Sequence, residues 1–236
     1  MKKGLLLSAI VGLGSCLPLA AQRVLFQGDV AADTAVQRSG PNRAHFGHAY
    51  IGYAPVVGTS AAAIPLRYGA SGELFLGWRQ KWRLSQQLAL GLNGQYCRLT
   101  YRLDQRASKQ LPTAAQYDQE SLTWQQVQAE PFLRLNVGRR GNVIGRYVDV
   151  GGWGGWAFST LHSYKDSPAA GAKVVKVTER GLPYAARWTY GASARLGSDR
   201  YAVVARRRFS TSWQGAETTG WAEPPRWTVG LELGWF

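Results

Sequence analysis

Tyr68-Gly69-Ala70-Ser71-Gly72-Glu73-Leu74-Phe75-Leu76-Gly77-Trp78-Arg79 is the stretch that decides the fold class. Tyr68, Ala70, Gly72, Leu74, Leu76 and Trp78 fall on one side of an extended backbone. Gly69, Ser71, Glu73, Phe75, Gly77 and Arg79 fall on the other. Successive side chains of a strand point to opposite faces, so this period of two reads as a strand with unlike faces. One face is apolar and ends in Trp; the other is mostly small or polar.

The same pattern recurs along the chain. Tyr184, Ala186, Trp188, Tyr190, Ala192, Ala194 and Leu196 stand against Ala185, Arg187, Thr189, Gly191, Ser193 and Arg195. At the C-terminus Trp227, Val229, Leu231, Leu233 and Trp235 stand against Arg226, Thr228, Gly230, Glu232 and Gly234. Looser alternation marks strands around Leu88–Tyr96, Val127–Val137, Ile144–Phe158 and Tyr201–Phe209. The faintest strand is the first, from about Ala44 to Ala54. No segment between them has helical periodicity.

The joins alternate in length. Gln80–Arg83, Arg139–Asn142 and Gly197–Arg200 are short, the last with Gly-Ser-Asp turn chemistry. Pro55–Leu66, Asp104–Ser121, Lys165–Lys173 and Gln214–Pro225 are long. A barrel crossing an outer membrane has short periplasmic turns, long outer loops and an even number of strands. The expected fold is therefore all-β: an eight-stranded antiparallel transmembrane up-and-down β-barrel over residues 44–236. Trp78, Trp124, Trp156, Trp227 and Trp235, concentrated towards strand ends, fit the aromatic girdles of such barrels. A soluble sandwich would instead fill its apolar faces with Val, Ile and Leu. Arg207 alone disagrees. Strict alternation turns it to the lipid, where a midplane Arg costs about 2–4 kcal/mol, so a bulge or a place near the outer rim is expected.

The N-terminus reads as an export signal over residues 1–21. Lys2 and Lys3 precede an apolar run from Leu5 to Leu13 that is too short to span a bilayer. Leu19-Ala20-Ala21 ends in small residues, which places cleavage after Ala21. Leu13-Gly14-Ser15-Cys16 also resembles a lipobox, in which Cys16 would be lipidated, and the two readings stay open. Residues 22–43 are polar and aperiodic, as expected of a periplasmic tail. If Cys16 is removed, Cys97 stands alone and no intrachain disulfide forms.

The formal net charge of +14 could suggest nucleic acid. The Lys and Arg are scattered and alternate with apolar residues, unlike a nucleic-acid arm. Attraction to anionic lipid or lipopolysaccharide fits better, so outer-membrane lipid is the expected partner and nucleic acid is not.

Chemistry has few candidates. His45 and His48 lie three apart and face opposite ways on a strand, which makes no metal pair. His162 and Ser163 are adjacent and also diverge, so His162 reads as an exposed rim histidine rather than the base of a lipid hydrolase. No phosphate loop, zinc cluster or calcium loop is present, and no cofactor is expected. The lumen is more telling. Glu73, Glu130, Asp149 and Glu232 face inward with Arg134, Arg187, Arg195, Arg206, Arg208 and Arg226. Opposite charges in a narrow barrel should pair, because an unpaired buried charge is costly. The expectation is a plugged, stabilising interior.

Pro131-Phe132-Leu133-Arg134-Leu135 and Tyr147-Val148-Asp149-Val150-Gly151-Gly152-Trp153 resemble the middle of the PorT-like outer-membrane β-barrel family. Arg200–Phe209 and the ending Leu231-Glu232-Leu233-Gly234-Trp235-Phe236 do so too. The resemblance covers most of the mature chain and is one of strand pattern more than signature residues. It implies an eight-stranded barrel in the outer membrane of a Gram-negative bacterium, with no defined substrate and no catalytic residues. Some members of that family are similar to accessory components of protein secretion. Phe236 is similar to the terminal aromatic that barrel-assembly machinery reads. Gly234, Glu232 and Gly230, however, occupy places that the usual pattern keeps apolar.

The expected function is that of a non-enzymatic structural, binding or accessory subunit, with room for a protein partner in an envelope complex. A small porin for solutes or anions is the alternative, and a lipid-modifying enzyme a third.

Overall fold

Alternation with a period of two leaves each segment able to bury one face and pair both edges, and the chain resolves that in a closed sheet. The computed structural model describes residues 39–138, 141–167 and 173–236. The expected signal at 1–21 and residues 22–38 of the expected tail lie outside the described residues. The strands are β1 (His45–Val57), β2 (Gly72–Arg83), β3 (Leu88–Leu103), β4 (Gln119–Val137), β5 (Arg146–Asp166), β6 (Val175–Arg180), β7 (Trp188–Ser198), β8 (Tyr201–Arg208) and β9 (Trp227–Trp235). All pair antiparallel. β4–β5 and β1–β9 pairings close eight of them into a ring, and β6 is a ninth strand added to the far end of β5.

Short and long joins alternate around this ring. Asp199 and Arg200 alone link β7 to β8, with Asp199 in the left-handed region at φ 53°, which a short polar side chain tolerates. The β2–β3 turn is Leu84–Gln87, four residues beyond its expected place. Alternation continues through Gln80–Arg83, and the turn forms where the Ser85 hydroxyl can accept the N–H groups of Gln87 and Leu88 (3.2 and 3.0 Å). The seventh strand begins at Trp188 rather than Tyr184, because Ala185 is taken up in a bridge to Trp213.

The faces are inverted relative to a water-soluble fold. Arg79, Arg134, Arg195 and Arg206 are among the largest fully buried side chains, whereas Trp235, Trp188 and Leu231 are 82%, 73% and 68% exposed. Outward Trp78, Trp82 and Trp235 lie towards the short-turn end. Trp156, Trp188 and Trp227 lie towards the long-loop end, where Trp156 and Trp188 are register partners. Trp124 does not belong with them. It shares β4's inward face with Gln126 and Gln128, and it is buried.

Apolar residues cap the interior at the long-loop end. Ile64 and Leu66 come from the β1–β2 join, Leu111 from β3–β4, Leu182 and Ala185 from β6–β7, and Trp213 from β8–β9, all packed with Tyr101, Leu122 and Trp124. The opposite end is closed by a smaller group, Phe46, Ile144, Tyr147 and Ala202. There Lys81 donates to the Pro41 carbonyl, Arg83 to the Asn42 carbonyl (2.8 Å), and the Asn42 amide group to the Gly141 carbonyl (3.0 Å). Residues 39–43, expected as the end of a tail, are thus bonded to the ring.

One irregularity matters for the site. Gln125 pairs with Ser159 and Gln126 with Ala157, which leaves Phe158 as an extra residue in β5. A β-bulge of this kind inverts the alternation beyond it. Ala157 points inward before the bulge, and Thr160 and His162 point inward after it.

Candidate functional site

The interior between the two caps is a charged network. Arg79 on β2 donates to Glu232 on β9 through both terminal nitrogens (2.6 and 3.0 Å) and to Asn93 on β3 (2.9 Å). Arg195 on β7 bridges Glu232 (3.1 Å) and Glu130 on β4. Glu130 also accepts from Ser193 (2.7 Å) and Asn93 (3.3 Å). Arg134 and Asp149, register partners on β4 and β5, form a two-bond pair at 2.7 and 2.7 Å. Arg206 on β8 pairs with Glu73 and donates to Gln128 (2.6 Å). Glu73 accepts further from Cys97 (2.8 Å) and Thr228 (3.0 Å).

Seven of the sequence-predicted residues therefore meet: Glu73, Glu130, Asp149, Glu232, Arg134, Arg195 and Arg206. Three make no ion pair with them, although Arg208 and Arg226 border the small cavity beside Glu73 and Arg206. Arg187 precedes β7 and Arg226 precedes β9, and both are exposed because they lie past the strand ends. Arg208 is buried but sits at the long-loop rim, donating to the Ser210 carbonyl (2.6 Å) and Glu223 (3.2 Å). Arg79 is the missing member. The opening stretch already put it on the inner face, so the signal was there. With it, four carboxylates face four guanidiniums, and the formal charge of this core is zero.

Aromatic rings hold the guanidiniums off the wall. The Arg134 guanidinium lies 3.7 Å from the Tyr147 ring centre, Arg79 lies 4.5 Å from Tyr50, and Arg206 lies 4.6 Å from Trp153. Tyr147 in turn lies over its register partner Gly197, and Phe132 over Gly91. A β-carbon at either glycine would collide with the ring. Glycine lets the ring lie flat along the neighbouring strand, which leaves the centre to the ions.

Little space remains. A cavity of about 20 Å³ bordered by Glu73, Tyr101, Trp153 and Arg206 has room for about one water. Glu130 Oε2, Arg134 Nη1, Gln128 Nε2 and Arg206 Nε are buried without a protein partner.

A second charged group lies above the network, under the long loops. Glu120 on β4 accepts from buried Lys109 and from Gln105 (2.9 Å), and is 2.8 Å from His162 Nε2. His162 Nδ1 is 3.2 Å from Glu179 on β6. His162 is thus buried, not exposed at the rim as expected, because the Phe158 bulge turns it inward. Burial by itself would lower its pKa. The bonds to Glu120 and Glu179 outweigh that and raise it above the ordinary value. Burial would likewise raise the Glu120 pKa, but His162, Lys109 and Gln105 hold it below the ordinary value. Both ring nitrogens of His162 are engaged by carboxylates, which leaves neither to activate a hydroxyl. Among the described residues no group of three His, Cys, Asp or Glu side chains is arranged to hold a metal.

Comparison of the chain with family models, curated proteins and solved structures gave no match.

Proposed function

We propose that this chain is a non-enzymatic outer-membrane β-barrel, a structural, binding or accessory subunit whose lumen is plugged by its own ion pairs. The inversion of faces carries this reading: arginine–carboxylate pairs inside, Trp, Leu and Val outside. Exposed apolar surface on this scale suits a lipid surrounding rather than water. The outward run on β4 from Val127 to Val137 would measure about 33 Å along the strand, or about 25 Å at the usual tilt, the height of a membrane-facing band. Trp at both ends of the band supports the same reading, and in such a barrel the short turns lie on the periplasmic side and the long loops outside. The filled interior, capped at both ends, favours a plug over a pore. The resemblance to PorT-like barrels is part of the proposal, and recognition would fall to the outer loops.

Fractionation and bilayer recording test it. The expressed chain should sediment with outer membranes, resist alkaline extraction and migrate faster on gels before boiling than after. Reconstituted protein should give no steady current. Recovery as a soluble protein would overturn the membrane assignment, and a stable anion-selective conductance would overturn the plug. Co-purification of a stoichiometric envelope protein would support the accessory role.

A further inference from the structure

Above the apolar band, the outer wall of β3–β6 changes character. On β3 the outward residues run Leu92, Gly94, Tyr96 and then Arg98, Thr100, Arg102. On β4 they run Ala129, Val127 and then Gln125, Thr123, Ser121. The Phe158 bulge continues the polar wall on β5 by turning Ser163 and Lys165 outward, where Lys165 is the register partner of Lys176 on β6. Arg98, Arg102, Lys165 and Lys176 line a shallow cleft of about 260 Å³, with Thr100 and Ser121 between them. Glu120, the carboxylate bordering the cleft, is turned inward to Lys109 and His162. No ion pair among the described residues involves any of the four cations. Like charges directly opposite in a sheet repel, so an anion held between Lys165 and Lys176 would relieve that repulsion.

We propose that this wall binds the phosphorylated sugar headgroup of an outer-leaflet glycolipid, with its acyl chains against Tyr96, Val127 and Phe158. The proposal rests on the membrane reading above. Charge complementarity carries it: four unpaired cations suit two phosphomonoesters, and the hydroxyls between them suit a hydroxylated sugar. Arg98 stands one outward step, about 7 Å, above Tyr96, so phosphate and acyl chain fall where one lipid can reach both.

Native mass spectrometry of the full chain released from detergent tests this, with lipid A, phosphatidylglycerol or phosphatidylethanolamine supplied. Wild type and the control Arg146→Gln/Arg207→Gln should retain lipid A in preference to phosphatidylglycerol. The variant Arg98→Gln/Lys165→Gln/Lys176→Gln should bind lipid A at least about tenfold more weakly, while its gel migration before boiling shows it folded. Equal retention of lipid A by that folded variant would overturn the site. Phosphatidylglycerol held as firmly as lipid A would overturn the phosphomonoester specificity. A chain that folds and stays soluble without detergent would overturn the membrane reading, and this site with it, whereas one that folds in detergent and ignores lipid A overturns this site alone.

Discussion

Arg79 and Glu232 meet in a two-bond fork across the width of β1, although 153 residues separate them in the chain. The two strands are not paired with each other; β1 pairs with both. The fork is a property of the closed ring.

Removing one side of that fork should be expensive. Glu232→Ala leaves Arg79 and Arg195 buried without their shared carboxylate, at a cost of about 3–5 kcal/mol. Urea unfolding of refolded protein reads this as a lower midpoint. The double variant Arg79→Met/Glu232→Met should recover much of the loss, since Arg195 keeps Glu130. A Glu232→Ala midpoint equal to wild type would show that the network carries no stability.

The glycine under Phe132 admits a coupled test. Gly91→Ala should destabilise by about 1–3 kcal/mol, because the new methyl meets the ring. Adding Phe132→Leu should make the Gly91→Ala step much cheaper. If the two effects simply add, the ring and glycine are not in contact.

Cys97 reports on the filled interior. Its thiol is fully buried against Glu73. It should resist maleimide in the folded protein and react once the chain is denatured, measured by mass. Equal labelling rates in both states would contradict a plugged lumen. Partial labelling in Glu232→Ala would show the interior loosening before the sheet opens.

The rim group under the long loops should depend on pH in two directions. The raised His162 pKa means that its contribution is full below the ordinary imidazole value of 6.5 and is lost as pH climbs through the raised one. Glu120, with its pKa lowered, contributes fully above the ordinary 4.5 and loses that as pH falls through its own value. Hydrogen exchange in residues 104–118, corrected for intrinsic rate, should therefore be slowest between pH 4.5 and 6.5. His162→Gln should flatten the alkaline side. Protection unchanged from pH 5 to 9 in wild type would refute the link.

Much of this architecture could be read from residues alone, because sheet faces alternate rigidly. Leu74, Leu76 and Trp78 outside, with Glu73 and Phe75 inside, follow from spacing. What escaped were breaks in that rule. Phe158 adds one residue to β5 without any sign in its own chemistry, and everything after it reverses, including His162. Arg187 and Arg226 lie beyond strand ends that alternation could not locate. β6 is short and pairs along one edge, and its Val175-Lys176-Val177-Thr178-Glu179-Arg180 reads equally well as loop. Trp124 lies three residues from outward Val127, and that odd spacing turns it inward although its residue type suits a girdle.

The neutral balance of the core has a consequence for assembly. Glu232 is carried on the last strand, and Glu73 on the second finds its arginine on the eighth. A chain truncated before β9 would hold the four guanidiniums of Arg79, Arg134, Arg195 and Arg206 against three carboxylates rather than four, and would leave β1 without its β9 partner. Closing the seam and cancelling the interior charge are then one event, so a partly made copy is both open-edged and electrically unfinished, and a complete one is neither.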